Sequence, residues 1–118
     1  MQEFTIPGEL PTANEVIAAL NTQNRRIYSN MKKDYTAYVM MMCQKIKPMK
    51  KVDITITWYC KNRRKDKDNI MFGQKFIFDG LVKAGVLKND GWAQIGDVTH
   101  KFKVDKDKPR ARVELIEI

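Results

Sequence analysis

The stretch 51–60, KVDITITWYC, constrains this chain more than any other. Val52, Ile54, Ile56 and Trp58 fall on one side, and Asp53, Thr55, Thr57 and Tyr59 fall on the other. A two-residue period of this kind belongs to a strand with one face in a core and one toward water. Such a strand needs neighbours for its backbone donors and acceptors. The sequence offers three. Residues 3–6 (EFTI) alternate and are closed by Pro7, Gly8 and Pro11, while 94–104 and 110–117 flank the turn DKDKP. In the last strand the apolar side switches after Leu115, which fits a bulge near its end.

Between these strands the period lengthens. Thr12 or Asn14 can cap a short helix over 14–20. The polar, basic run 21–29 reads as a loop or hairpin. Ser29 or Asn30 can cap a helix over 30–47, where Tyr35, Tyr38, Val39, Met42, Ile46 and Met49 recur at three- and four-residue steps. Pro48 ends that pattern. Met40 and Met41 lie off the apolar face and offer surface to a partner. A second long helix is expected over 69–83, with Ile70, Ile77, Leu81 and Ala84 near one face and Gly85 as its stop. KNDG at 88–91 is a turn signature. The order strand, helix, helix, strand, helix, strand, strand predicts one α+β domain over 1–118, a small mixed β-sheet packed with helices.

Composition narrows the function. The chain has 22 Lys and Arg against 14 Asp and Glu, a net charge of +8. That balance favours a polyanionic partner, because phosphate binding releases counterions. No apolar run approaches the length of a membrane span. The opening MQEFTIPGELP lacks the basic and apolar regions of a signal peptide, so a cytoplasmic protein is expected. Cys43 and Cys60 form no disulfide framework and read as buried thiols. With His100 the only histidine, far along the chain from both, no zinc set exists.

The chemistry concentrates after the best strand. Asp66, Asp68 and Asn69 sit where 51–60 runs out and a helix begins. If the chain is extended there, residues i and i+2 face the same way, and two carboxylates can converge on one hard cation. Asp90, in the KNDG turn, is expected to return to the same end of the sheet as a third ligand. Asn69 can cap the helix start. A calcium loop fails, since the fifth, sixth and twelfth places from Asp66 hold Ile70, Met71 and Ile77. Arg63, Arg64 and Lys65 lie immediately upstream, and Arg25, Arg26, Lys32 and Lys33 lie earlier. Acids within a basic segment suit a phosphodiester, with bases on the flanking phosphates and acids on a metal at the scissile one.

Residues 62–91, NRRKDKDNIMFGQKFIFDGLVKAGVLKNDG, resemble the core of the RusA family of Holliday-junction resolvases. The shared features are Arg63-Arg64-Lys65, then Asp66-Lys67-Asp68-Asn69 as D-x-D-N. They continue with Phe78-Asp79-Gly80-Leu81 as F-D-x-L, the Lys83-Ala84-Gly85 helix end, and Asn89-Asp90 in the late turn. Pro11-Thr12-Ala13-Asn14 is similar to the family's P-x-x-N element. The resemblance implies a homodimeric nuclease that binds four-way DNA junctions, often of phage origin. It would cut them by paired symmetric nicks with Mg2+, for which Mn2+ can substitute, and without a nucleotide cofactor. It also implies that Asp66, Asp68 and Asp90 hold metal and that a lysine assists. Where the family's lysine falls, one turn after D-x-D-N, this chain has Phe72. Lys75 is the nearest candidate and requires a short insertion near Met71–Gly73. On a continuous helix, Asp68, Lys75 and Asp79 would fall within about 40° of one another; Lys75 and Asp79 can equally form a plain i, i+4 pair.

Two rivals belong to other classes. A DNA-binding module without catalysis would keep the basic surface. A DxD transferase would need a sugar-nucleotide pocket, and no Gly-rich phosphate loop is present.

Overall fold

A computed structural model describes residues 1–118. It contains strands β1 (Gln2–Pro7), β2 (Val52–Cys60), β3 (Ile95–Val104) and β4 (Arg110–Glu117), and helices α1 (Ala13–Leu20), α2 (Arg25–Met42), α3 (Lys67–Met71) and α4 (Gln74–Lys83). The fold is α+β. The strands form one sheet in the order β1-β4-β2-β3, antiparallel except for the parallel pair β2 and β3. No helix is long and apolar enough to cross a membrane.

Alternation in β2 does what its period predicts. Val52, Ile54, Ile56 and Trp58 are buried and join Phe4, Ile6, Ala111, Val113 and Leu115 in one apolar cluster. The helices lie on that face, contributing Val16, Val39, Phe76, Ile77 and Leu81. Thr12 caps α1 by accepting from the Glu15 N–H. Gly85, at φ +77°, supplies the left-handed turn that stops α4, and Val86 N–H bonds back to Leu81 C=O at 3.0 Å.

The structure departs from the sequence reading in four places. First, Arg25–Ser29 are helical, not loop or hairpin: Asn24 caps α2 by accepting from Arg26 N–H, and the helix ends at Met42, five residues short of the expected 47. Second, the helix expected over 69–83 is two helices. The break falls at Phe72–Gly73, where a Cβ on Gly73 would lie 2.9 Å from the Trp58 ring. Third, β4 keeps unbroken register from Arg110 to Glu117, and Ile116 simply faces out, 49 % exposed. The irregularity sits instead in β3 between Ile95 and Val98, where Asp97 N–H donates to Asp53 Oδ1 at 2.7 Å. The fourth departure moves Asp90. Because β2 and β3 run parallel, the chain must cross the length of the sheet before β3 can start. Gly91 C=O accepts from Ile95 N–H, and Ile95 pairs with Val52. Asp90 therefore flanks the start of β2, while Asp66 follows its end.

Candidate active site

Loops that follow two parallel strands emerge at the same end, a recurring place for ligand sites. Here the segment after β2 and the end of β3 enclose an open cleft of about 430 Å³. Arg63, Lys65, Asp66 and Lys67 line one side, and Phe102 and Lys103 the other. The Lys67 ammonium stands 5.4 Å from the centre of the Phe102 ring, joining the two sides.

Asp66 is the N-cap residue of α3, with extended backbone, yet its side chain makes no capping bond. Asp68 lies in the first turn and accepts from the Asn69 N–H through Oδ1 at 2.9 Å. Both are exposed. The step from Asp66 to Asp68 enters a helix, where residues two apart do not face each other, so the same-side placement expected of extended chain does not hold.

Asn69 does not cap. Its Oδ1 accepts from the Asn14 N–H at 2.8 Å, tying the start of α1 to α3 across 55 positions. Lys65 reaches Glu15 on the same helix at 3.5 Å. Asn62 Oδ1 accepts from the Arg64 N–H and turns the basic loop. These bonds hold the Asp66–Asn69 segment against α1.

Lys75 lies outside the cleft, on α4, 3.7 Å from Asp79 Oδ2. The break at Phe72–Gly73 removes Asp68 from their helix, so the three residues share no continuous stripe. Asp79 Oδ2 is buried without a hydrogen bond and has the Lys75 charge as its compensation. Arg25, Arg26 and Lys32 stand on α2, none of them lining the cleft.

No group of three or more His, Cys, Asp or Glu side chains is placed to hold one ion. Asp90 is exposed at the other end of the parallel pair, and a nine-residue strand spans roughly 26 Å. Within one chain the carboxylates available to a cation are thus Asp66 and Asp68. A single carboxylate such as Asp66 is compatible with Mg2+, which commonly takes one or two carboxylates and fills its octahedron with water and phosphate oxygens. The three-carboxylate set does not fit a single chain.

Sequence reading missed a cluster beside the cleft. The Trp58 indole N–H donates to His100 Nδ1 at 2.9 Å, and His100 Nε2 lies 3.0 Å from Gln74 Oε1. The three residues link β2, β3 and the start of α4. Burial lowers the His100 pKa from its ordinary value of 6.5. Only the two-residue spacing of His100 and Phe102 on β3 hinted at a shared face.

No family model matches the chain, and no curated protein matches it.

Proposed function

We propose that this protein is a metal-dependent endonuclease that resolves four-way DNA junctions by paired nicks. One observation carries the reading: Asp66, its side chain unused by the fold, lines a cleft whose other charged lining residues are Arg63, Lys65, Lys67 and Lys103, with Asp68 two residues on in the first turn of α3. Neither residue forms an ion pair, although basic side chains surround them in the chain.

In this reading Asp66 and Asp68 hold Mg2+ or Mn2+. Arg63, Lys65, Lys67 and Lys103 bind phosphates flanking the scissile one and fix the strand in place. When bound, the metal supplies Lewis-acid polarisation of a phosphoryl oxygen and a more acidic water. Asn14 and Asn69 keep the carboxylates in position through their bond. Two nicks placed by symmetry call for a C2 homodimer, and Met41, 56 % exposed, and Trp92, 97 % exposed, are apolar surface available to it. A DNA substrate of this kind also places the protein's work in the cytoplasm.

A second reading, a DNA-binding module without catalysis, is favoured by the position of Asp90. One experiment separates them: incubation with a four-way junction and a matched linear duplex, with and without Mg2+, for the wild type and Asp66→Asn. Nicking of the junction that needs both the metal and Asp66 supports the nuclease. Binding without any nicking in Mg2+ or Mn2+ selects the module.

A further inference from the structure

β3 is the longest strand of the sheet, and it has a neighbour on one side only. Its ten residues leave an open edge of backbone donors and acceptors roughly 30 Å long. The charges along that edge are sorted. Asp97 stands near its start, and Lys101 and Lys103 stand toward its end. All three are exposed, and none forms an ion pair. Apolar surface lies open at both ends as well. Trp92, three residues before the strand, is 97 % exposed, and Val104, its last residue, is 48 % exposed.

Lysines on an edge strand commonly guard it against pairing. Here the guard is selective. Two copies of β3 laid parallel would set lysine beside lysine and aspartate beside aspartate. Laid antiparallel, about a two-fold axis near Thr99 and His100, they set Asp97 of each copy against the lysines of the other. The same axis brings Trp92 of each copy level with the end of the other strand. There Val104 and the half-buried Phe102 form the rim of the cleft. An indole left in water by its own chain gains an apolar wall, the usual place of an interface anchor. A polyanion would match the lysines but would be repelled at Asp97. We propose that β3 is the seam of a two-fold dimer, in which a second copy of this chain extends the sheet from four strands to eight, with Trp92 as the anchor at each end. The proposal rests on the pair that the nuclease reading calls for, and adds where the two copies meet.

The test is sedimentation equilibrium of the full chain without DNA, over a micromolar concentration series. The wild type should form a reversible dimer. Asp97→Lys alone opposes like charges at both ends of the seam, as does Lys101→Glu with Lys103→Glu. Each should weaken the dimer about a hundredfold. Mixed in equal amounts, the two variants oppose unlike charges at both ends, so a heterodimer should return, which also shows that both are folded. Trp92→Ala should weaken the dimer about tenfold or more. Wild-type tryptophan emission should move to shorter wavelength as the dimer forms, and Trp92→Ala should lack that shift, since Trp58 is already buried. A mixture that stays monomeric, or charge variants that dimerise like the wild type, overturn the seam and leave the pair itself standing. A wild type that is monomeric throughout overturns both. If Trp92→Ala dimerises normally but binds DNA more weakly, the anchor is overturned and Trp92 belongs to the DNA surface. A dimer that meets every expectation yet nicks no junction supports the seam and removes the nuclease.

Discussion

The Trp58 indole donates to Nδ1 of His100 at 2.9 Å, and that one bond sets the protonation state of the imidazole. An indole N–H can only donate, so Nδ1 must be bare. The ring proton then sits on Nε2, directed at Gln74 Oε1. A second proton would land on Nδ1 and leave the Trp58 N–H without an acceptor.

The consequence is a pH dependence of stability. The folded protein holds His100 neutral to a lower pH than the unfolded chain, whose histidine titrates near 6.5. Between those two values the unfolded state binds more protons, so stability rises with pH. The contribution is complete above 6.5 and is lost as pH falls through the folded value. Thermal melting from pH 8 to pH 5 should show a decline below 6.5 that His100→Gln lacks. Parallel curves for the two proteins would remove His100 as the source.

Gly80 tests the packing of α4 on α2. A Cβ there would lie 2.4 Å from Val39 Cγ1 and 2.6 Å from Val39 Cβ. The Cβ cannot rotate away, so overpacking of about 1–3 kcal/mol outweighs the helix propensity gained from alanine. Gly91→Ala meets only Gln94 Oε1 at 3.6 Å and is the neutral control. Urea denaturation should show Gly80→Ala with a clearly lower midpoint. A midpoint equal to that of the control would mean that the two helices are not held this closely.

Asp90 can serve the same metal as Asp66 only from a second copy, because one chain puts them at opposite ends of the sheet. Asp66→Asn and Asp90→Asn should then each be inactive alone. In a mixed dimer one site carries both lesions and the other is intact, so mixing the two variants should restore nicking of one strand. If Asp90→Asn alone cleaves at the wild-type rate, Asp90 is no ligand. If both singles are dead and the mixture stays dead, the partner does not supply it.

The basic loop should govern affinity more than chemistry. Replacing Arg63, Arg64 and Lys65 together by alanine removes up to three phosphate contacts, lowering the slope of log K against log salt by about three. Stability should stay within about 0.5 kcal/mol, as for ordinary surface substitutions, since only Lys65 has a partner, Glu15. Junction binding across a salt series measures this, and an unchanged slope would place the DNA elsewhere.

What could be read from the sequence tracks how local each signal is. The alternation of β2, the Thr12 cap and the Gly85 stop involve neighbours in the chain, and all three appear as expected. The first two turns of α2 are exposed almost all round, so Arg25–Ser29 carry no apolar period to read. Gly73 leaves room for the Trp58 ring, fifteen positions earlier, a contact invisible in the local pattern. Asp90 was misplaced for a similar reason: whether β3 runs parallel or antiparallel to β2 is a long-range choice. The acids beside the basic loop are a local signal of residue type and charge, but the extended geometry expected for Asp66 and Asp68 and the capping role of Asn69 are not kept, since α3 begins at Lys67 and Asn69 bonds to α1.

β1 has a single neighbour, β4, with Gln2 opposite Leu115. A ribosome making this chain must therefore hold the first strand without a mate until residues 110–117 have emerged. Contacts of such long sequence separation slow folding. The same pairing brings the two ends side by side, so a short glycine-rich bridge could join them. New ends opened in the exposed turn at 105–109 would then make β4 and β1 consecutive, turning the slowest closure into a hairpin.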